Sequence, residues 1–307
     1  MSEVVSIMAK KILITGAGGL IGSRLTELLT TRGHSVTHLG RFKRSGKIST
    51  FVWDPAKGTV DNHALESIDT MVHLAGEGIA NKRWTTAQKK EILNSRIKST
   101  EILYQTLLNN RHRIQTFVSA SAIGYYGFGK DDNIFTEGDN PGNDFLAQVT
   151  RQWENEVDKI STLGLRVTKL RIGIVLSEKG GALKEMAKPI RLGFGSPLGT
   201  GKQFLSWIHI EDLCGMFVKA IEDGNMKGAY NATTAWCTNE DMTKAIAKAL
   251  HKPLWLPSVP SFILQIILGE MADMVLEGSR VSPEKIKRAG YRYQFVDLED
   301  ALNNLLK

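Results

Sequence analysis

The chain is 307 residues long, 42% hydrophobic and 23% charged, with a formal net charge of +7. These values exclude a disordered chain and leave room for one large globular domain, or a large and a small one sharing a core. The positive balance does not gather into the long runs or single faces that nucleic acid or an anionic bilayer requires, so neither is an expected partner.

Residues 1–9 have no basic start, long apolar stretch or small-residue cleavage site; they read as a leader outside the fold, with Met8 an alternative start. Residues 11–15 (KILIT) form a short apolar run ending in glycines, which suits a buried parallel strand. Ile21, Leu25, Leu28 and Leu29 then recur at helical spacing up to the stop at Gly33. Further strands are expected over 35–39, 51–53, 70–74, 116–119 and 166–175, with helices over 85–109 and 146–160. Strands alternating with helices predict an α/β fold, a Rossmann-type doubly wound parallel sheet, because each parallel crossover needs a covering helix.

The texture changes after Val175. Residues 180–201 are rich in glycine and proline, and a strand resumes at 207–209. Helices over 212–222 and 239–250 flank a strand at 229–232, and a helical tail begins near Pro260. The expected division is a Rossmann domain over 1–178 and a smaller C-terminal α/β substrate lobe over 179–307, with some segments returning to the first. Cys214 and Cys237 lack metal-ligand spacing and read as reduced thiols of a cytoplasmic protein without a metal site. The apolar stretch 254–268 is interrupted by Pro257 and Pro260 and is too short to span a bilayer.

The first chemistry-bearing motif is Gly16-Ala17-Gly18-Gly19-Leu20-Ile21-Gly22, between the first strand and the first helix. Gly16 allows the tight turn, Gly19 a close approach of backbone to a pyrophosphate, and Gly22 close packing of helix on strand. The amides at the helix start, Leu20 and Ile21, then face the phosphates with the favourable end of the helix dipole. The second strand ends in Gly40-Arg41-Phe42-Lys43-Arg44, with no acid for ribose hydroxyls. A carboxylate there would repel a 2′-phosphate, whereas the Arg41 guanidinium can hold one through two hydrogen bonds. The expected cofactor is therefore NADP(H). At the end of the fourth strand, Leu74, Ala75 and Gly76 again place small residues where backbone must approach a ligand; His73 before them reads as a packed strand residue.

With these motifs and Ser119-Ala120-Ser121-Ala122-Ile123-Gly124-Tyr125-Tyr126-Gly127, the chain resembles an extended short-chain dehydrogenase/reductase. Arg83-Trp84-Thr85, Glu91-Ile92, Ser95-Arg96 and Ser206-Trp207-Ile208-His209-Ile210 resemble its atypical subgroup, the "epimerase family proteins". The parent family uses Ser, Tyr and Lys, the last two as Tyr-x-x-x-Lys, plus a helix Asn. By that resemblance Leu146 stands where Tyr belongs, Thr150 where Lys belongs and Arg96 where Asn belongs, while Ser121 matches the serine. Leucine cannot carry a proton, so the usual dyad is absent. Tyr125 or Tyr126 could replace it if Arg96 lowered a phenol's pKa. Both rings could equally pack against the glycine loop, and Ser121 could bond backbone alone.

The expected catalytic set is thus Ser121, Tyr125 and Tyr126. The expected cofactor-binding set is Gly16, Gly19, Leu20, Ile21, Gly22, Gly40, Arg41, Leu74, Ala75, Gly76, Glu91, Arg96 and Val175. His209 reads as a buried hydrogen-bonded residue before a proton donor. Two functions follow: an NADP(H)-dependent oxidoreductase or epimerase acting on a small organic substrate, or a non-catalytic NADP(H)-binding redox sensor or scaffold. Either is compatible with a homodimer.

Overall fold

Ile12, Leu13 and Ile14 have no solvent exposure, because their strand, β1 (Lys11–Thr15), lies mid-sheet with both faces covered. The structure, a computed structural model, describes residues 9–44, 46–129 and 133–307; residues 1–8 of the expected leader lie outside it. β1 pairs in parallel with β2 (Ser35–Gly40) on one side and β5 (Thr70–His73) on the other. Beyond β2 come β3 (Thr50–Asp54) and an antiparallel hairpin partner, β4 (Thr59–Val60). Beyond β5 come β6 (Thr116–Ala122), β8 (Arg166–Ile172) and β11 (Gly228–Ala232), all parallel. The eight-stranded order is β11-β8-β6-β5-β1-β2-β3-β4. Strand order reverses between β1 and β5, and that switch point opens a crevice at the carboxyl ends of the strands.

Helix α1 (Leu20–Thr31) buries Gly22, Leu25, Thr26 and Leu29, one stripe at helical spacing. It packs on α5 (Ile210–Glu222), where Arg24 holds Glu211 through two hydrogen bonds of 2.7 Å. On the other face, α2 (Thr86–Asn109) starts at Thr85, whose side chain accepts from the Gln88 amide, and lies against α3 (Phe145–Ser161).

The strand expected over 166–175 is two strands. It breaks at Gly173, where a Cβ would stand 2.6 Å from the Ser206 carbonyl oxygen. Past that point β9 (Ile174–Leu176) leaves the main sheet and pairs with β10 (Phe204–His209), which also carries antiparallel β12 (Ala235–Thr238). The glycine-rich stretch hides a helix, α4 (Ala182–Arg191), that buries Leu183, Ala187 and Ile190 and tolerates Pro189 in its last turns. A short pair, β7 (Ile134–Phe135) with β13 (Arg280–Val281), ties the C-terminal segment to the turn after β6. The remaining helices are α6 (Asn239–Ala249), α7 (Ser261–Leu268), α8 (Asp273–Leu276), α9 (Glu284–Arg288) and α10 (Leu298–Leu306). Among the described residues, no helix is long and apolar enough to cross a membrane.

Candidate functional site

The glycine loop is held shut against the neighbouring strand end. Gly16 has φ of 67°, and a Cβ on it would stand 2.6 Å from the Leu74 carbonyl carbon and 2.8 Å from the Ala75 nitrogen. A Cβ on Gly22 would stand 2.5 Å from the Gly16 oxygen. α1 then opens from Gly19 without a side-chain cap and without an acid in its first turn. Its leading amides therefore remain available to an anion at the positive end of the helix dipole.

A cleft of about 740 Å³ lies over this loop. Gly16 and Gly19, Gly40 and Arg41, Leu74 to Gly76, and Glu91 line its wall. Leu20, Ile21, Gly22, Arg96 and Val175 do not. Gly22 is buried under the loop, while Leu20 and the Val175 carbonyl approach Gly181, at the start of α4. Arg96 braces the cleft from behind: its Nη1 donates to the Glu77 and Ile92 carbonyls at 3.0 Å, and its guanidinium lies over the Trp153 ring. Burial pulls that guanidinium down to about 10. His38, Asn94 and Lys98 also line the cleft without a signal beyond their spacing from Arg41 or Glu91, while Arg44 and Ser95 join it from the basic run after β2 and the Ser95-Arg96 motif. His73 sits beneath, bonded through Nδ1 to Thr15 (2.8 Å) and Nε2 to Thr100 (3.2 Å). Burial, then the charge of Arg96, push it to about 3, so it is a neutral strand residue.

The carboxyl ends of β6, β8 and β11 hold a second arrangement. Ser121 Oγ donates to Glu154 Oε1 at 2.6 Å. Arg171 grips the same carboxylate with Nε (2.8 Å) and Nη2 (2.9 Å), and its Nη1 donates to the Tyr126 oxygen at 2.9 Å. Tyr126 in turn donates to Asn231 Oδ1 at 2.6 Å, and Asn231 Nδ2 reaches the Ser282 carbonyl. The Arg171 guanidinium also lies 3.5 Å from the centre of the Tyr125 ring. Tyr126 is only 3% exposed, and burial raises its phenol to about 12 despite the Arg171 charge. Burial alone would raise Glu154, but Arg171 and Lys169 outweigh it and hold the carboxyl below its ordinary value.

The cation beside Tyr126 is thus Arg171, not Arg96 as the sequence suggested, because Arg96 is engaged by the carbonyls below Gly76. Arg171 and Glu154 were not foreseen; their signal was a cation on a buried central strand and an acid between Trp153 and Val157 on a buried helix stripe. Leu146 and Thr150 face the start of the tyrosine turn, since a Cβ on Gly124 would meet Leu146 Cβ at 3.4 Å and Thr150 Oγ1 at 3.7 Å. Leu146 packs in a small apolar cluster with Trp84, Phe145, Met271 and Met274. His209 caps α5, accepting from the Glu211 amide, and stacks on Phe295 at 3.8 Å.

A Rossmann-type sheet with a glycine loop at its switch point defines a dinucleotide fold of the short-chain dehydrogenase/reductase kind. The chain belongs to the NAD dependent epimerase/dehydratase family, whose profile matches residues 12–233. A second profile, a domain of unknown function (DUF1731), matches residues 259–305. The Bacillus subtilis "Epimerase family protein YfhF" is 36% identical over 298 residues, covering 96% of this chain and 97% of that protein. The Bos taurus "Epimerase family protein SDR39U1" is 35% identical, covering 96% and 99%. The crystal structure of the human epimerase family protein SDR39U1 with NADPH superposes with a TM-score of 0.86 at 32% identity, covering 96% of this chain and 99% of that one. A UDP-glucose 4-epimerase from Thermotoga maritima, 17% identical with a TM-score of 0.78, shares the fold.

Proposed function

We propose that this chain binds NADP(H) in the 740 Å³ cleft and acts as an oxidoreductase or epimerase on a small organic substrate, without the usual Tyr-x-x-x-Lys dyad. The observation that carries the cofactor reading is Arg41 in the cleft wall, in a stretch from Gly40 to Arg44 at the end of β2 that contains no acid. The related human protein crystallised with NADPH supports it. Gly16 and Gly19 would admit the dinucleotide backbone, the first amides of α1 its pyrophosphate, and Arg41 its 2′-phosphate. When bound, the cofactor supplies a hydride donor or acceptor. Residues 1–178 would carry it, and 179–307 would form the substrate lobe while returning β11 to the sheet. We place the protein in the cytoplasm, with a small-molecule substrate and neither nucleic acid nor membrane as partner; a homodimer suits the same reading.

Titration of the purified chain should show NADPH binding more tightly than NADH. Arg41→Asp should cost about 10- to 100-fold in NADPH affinity, the worth of a charge-assisted pair turned into a repulsion. Equal affinities in the unaltered protein would sink this reading.

For the proton, Tyr125 is the better candidate. It is half-buried with its ring on Arg171, whereas the Tyr126 oxygen is already bonded to Arg171 and Asn231. In a screen of carbonyl substrates, Tyr125→Phe should lower turnover by roughly 100-fold or more, the usual worth of a positioned acid. A larger loss in Tyr126→Phe would reverse the assignment. A second reading, a redox sensor without turnover, is favoured by one observation: the Ser121 and Tyr126 hydroxyls both end in a closed internal network. NADPH binding with no turnover across the screen would select it.

A further inference from the structure

Among the glycines of the loop, Gly18 is the one where an added side chain would meet a charged group. A Cβ placed on it would run into the Arg44 guanidinium, so Arg44 crosses from the chain beyond β2 and lies on the loop backbone. It lines the cleft together with His38, Gly40 and Arg41. Among the described residues no carboxylate pairs with Arg44, and no side chain or carbonyl hydrogen-bonds it. His38, half-buried in the same wall, has its pKa lowered by desolvation and then by the Arg44 charge.

A guanidinium on Gly18 sits one residue before Gly19, the N-cap of α1, whose following amides carry the positive end of that helix's dipole. Like charges brought together repel, and the arrangement becomes favourable when an anion lies between them. The pyrophosphate of a dinucleotide belongs on the helix amides, while its adenosine ribose belongs between the glycine loop and the end of β2. That ribose would therefore have Arg41 on one side and Arg44 on the other.

We propose that Arg44 is a second guanidinium for the cofactor's 2′-phosphate, closing from the glycine loop while Arg41 holds the same group from β2. The inference rests on the NADP(H) reading above. It also gives Gly18 a role the loop motif does not assign: the absence of a side chain leaves room for Arg44.

The test is the affinity of the purified full chain for NADPH and NADH, measured by calorimetry, for the unaltered protein, Arg44→Gln and Gly18→Val. Arg44→Gln should weaken NADPH about 10- to 100-fold and leave NADH within about twofold, because only the 2′-phosphate has lost its charge-assisted partner. Gly18→Val keeps the cation but occupies its seat; a side chain there also meets the pyrophosphate that both cofactors carry, so it should weaken both but NADPH the more. Equal weakening of both cofactors by Arg44→Gln would place Arg44 on the pyrophosphate and overturn the assignment. Unchanged affinity for both would make Arg44 a surface cation and overturn it as well. An unaltered protein that binds neither cofactor would instead overturn the NADP(H) reading on which this one rests.

Discussion

Arg171→Met is expected to lower the unfolding free energy by about 3–5 kcal/mol, the cost of leaving a buried carboxylate without its partner. Glu154 is 3% exposed and takes two Arg171 hydrogen bonds and one from Ser121. Removing the guanidinium leaves that carboxylate with Ser121 and the 3.3 Å contact to Lys169, and takes the Tyr126 phenol's donor as well. The paired replacement Arg171→Met with Glu154→Leu should cost less than Arg171→Met alone, because it buries no uncompensated charge. Chemical denaturation of the three proteins measures both effects; a single variant as stable as the unaltered chain would show that the pair contributes little.

The same pair sets a pH dependence. Glu154 is held below its ordinary value in the folded chain. Its contribution is therefore complete above the ordinary carboxylate range and is lost as the pH falls through the lower folded value. Stability should decline on acidification below about pH 4.5, and the decline should be shallower in the paired replacement.

Gly16→Ala is expected to abolish measurable NADPH binding and to destabilise the fold by about 1–3 kcal/mol. Two independent costs act at this residue. Its φ of 67° is rarely adopted by residues with a side chain, and the added carbon would stand 2.6 Å from Leu74 backbone. Leu74 and Ala75 are themselves cleft wall, bonded through their amides to Thr15 Oγ1, so they cannot yield without disturbing the end of β1. Gly33→Ala is the control: it has φ of 83° but nothing within 4 Å of a Cβ, so it should lose stability through backbone strain without losing the cofactor. Calorimetry with NADPH and thermal melts of both variants separate the two costs. Binding by Gly16→Ala close to that of the unaltered chain would show that the loop does not form the cradle.

Local pattern alone was enough for the parallel sheet up to β8 and for the glycine loop between β1 and α1. KILIT reads as a buried strand because a parallel strand covered on both faces needs a continuous apolar run, and the glycines follow it directly. The end of β2 is legible for a similar reason: each nearby residue type, glycine, arginine or an absent acid, acts through its own charge or lack of bulk. The pairing of Arg171 with Glu154 was not legible, nor was the seat of Arg44 on Gly18. The first two meet across a strand and a helix 17 residues apart, and the third reaches Gly18 with α1 and β2 between them in the chain. A charge in a buried strand has no meaning until its partner is placed opposite it. So the residues themselves determined a dinucleotide fold, with Leu146 and Thr150 where the family resemblance places the Tyr and the Lys. Only the tertiary structure decided that the Ser121 and Tyr126 hydroxyls close on a buried ion pair, because ion pairing and desolvation depend on distances between elements that sequence spacing does not encode.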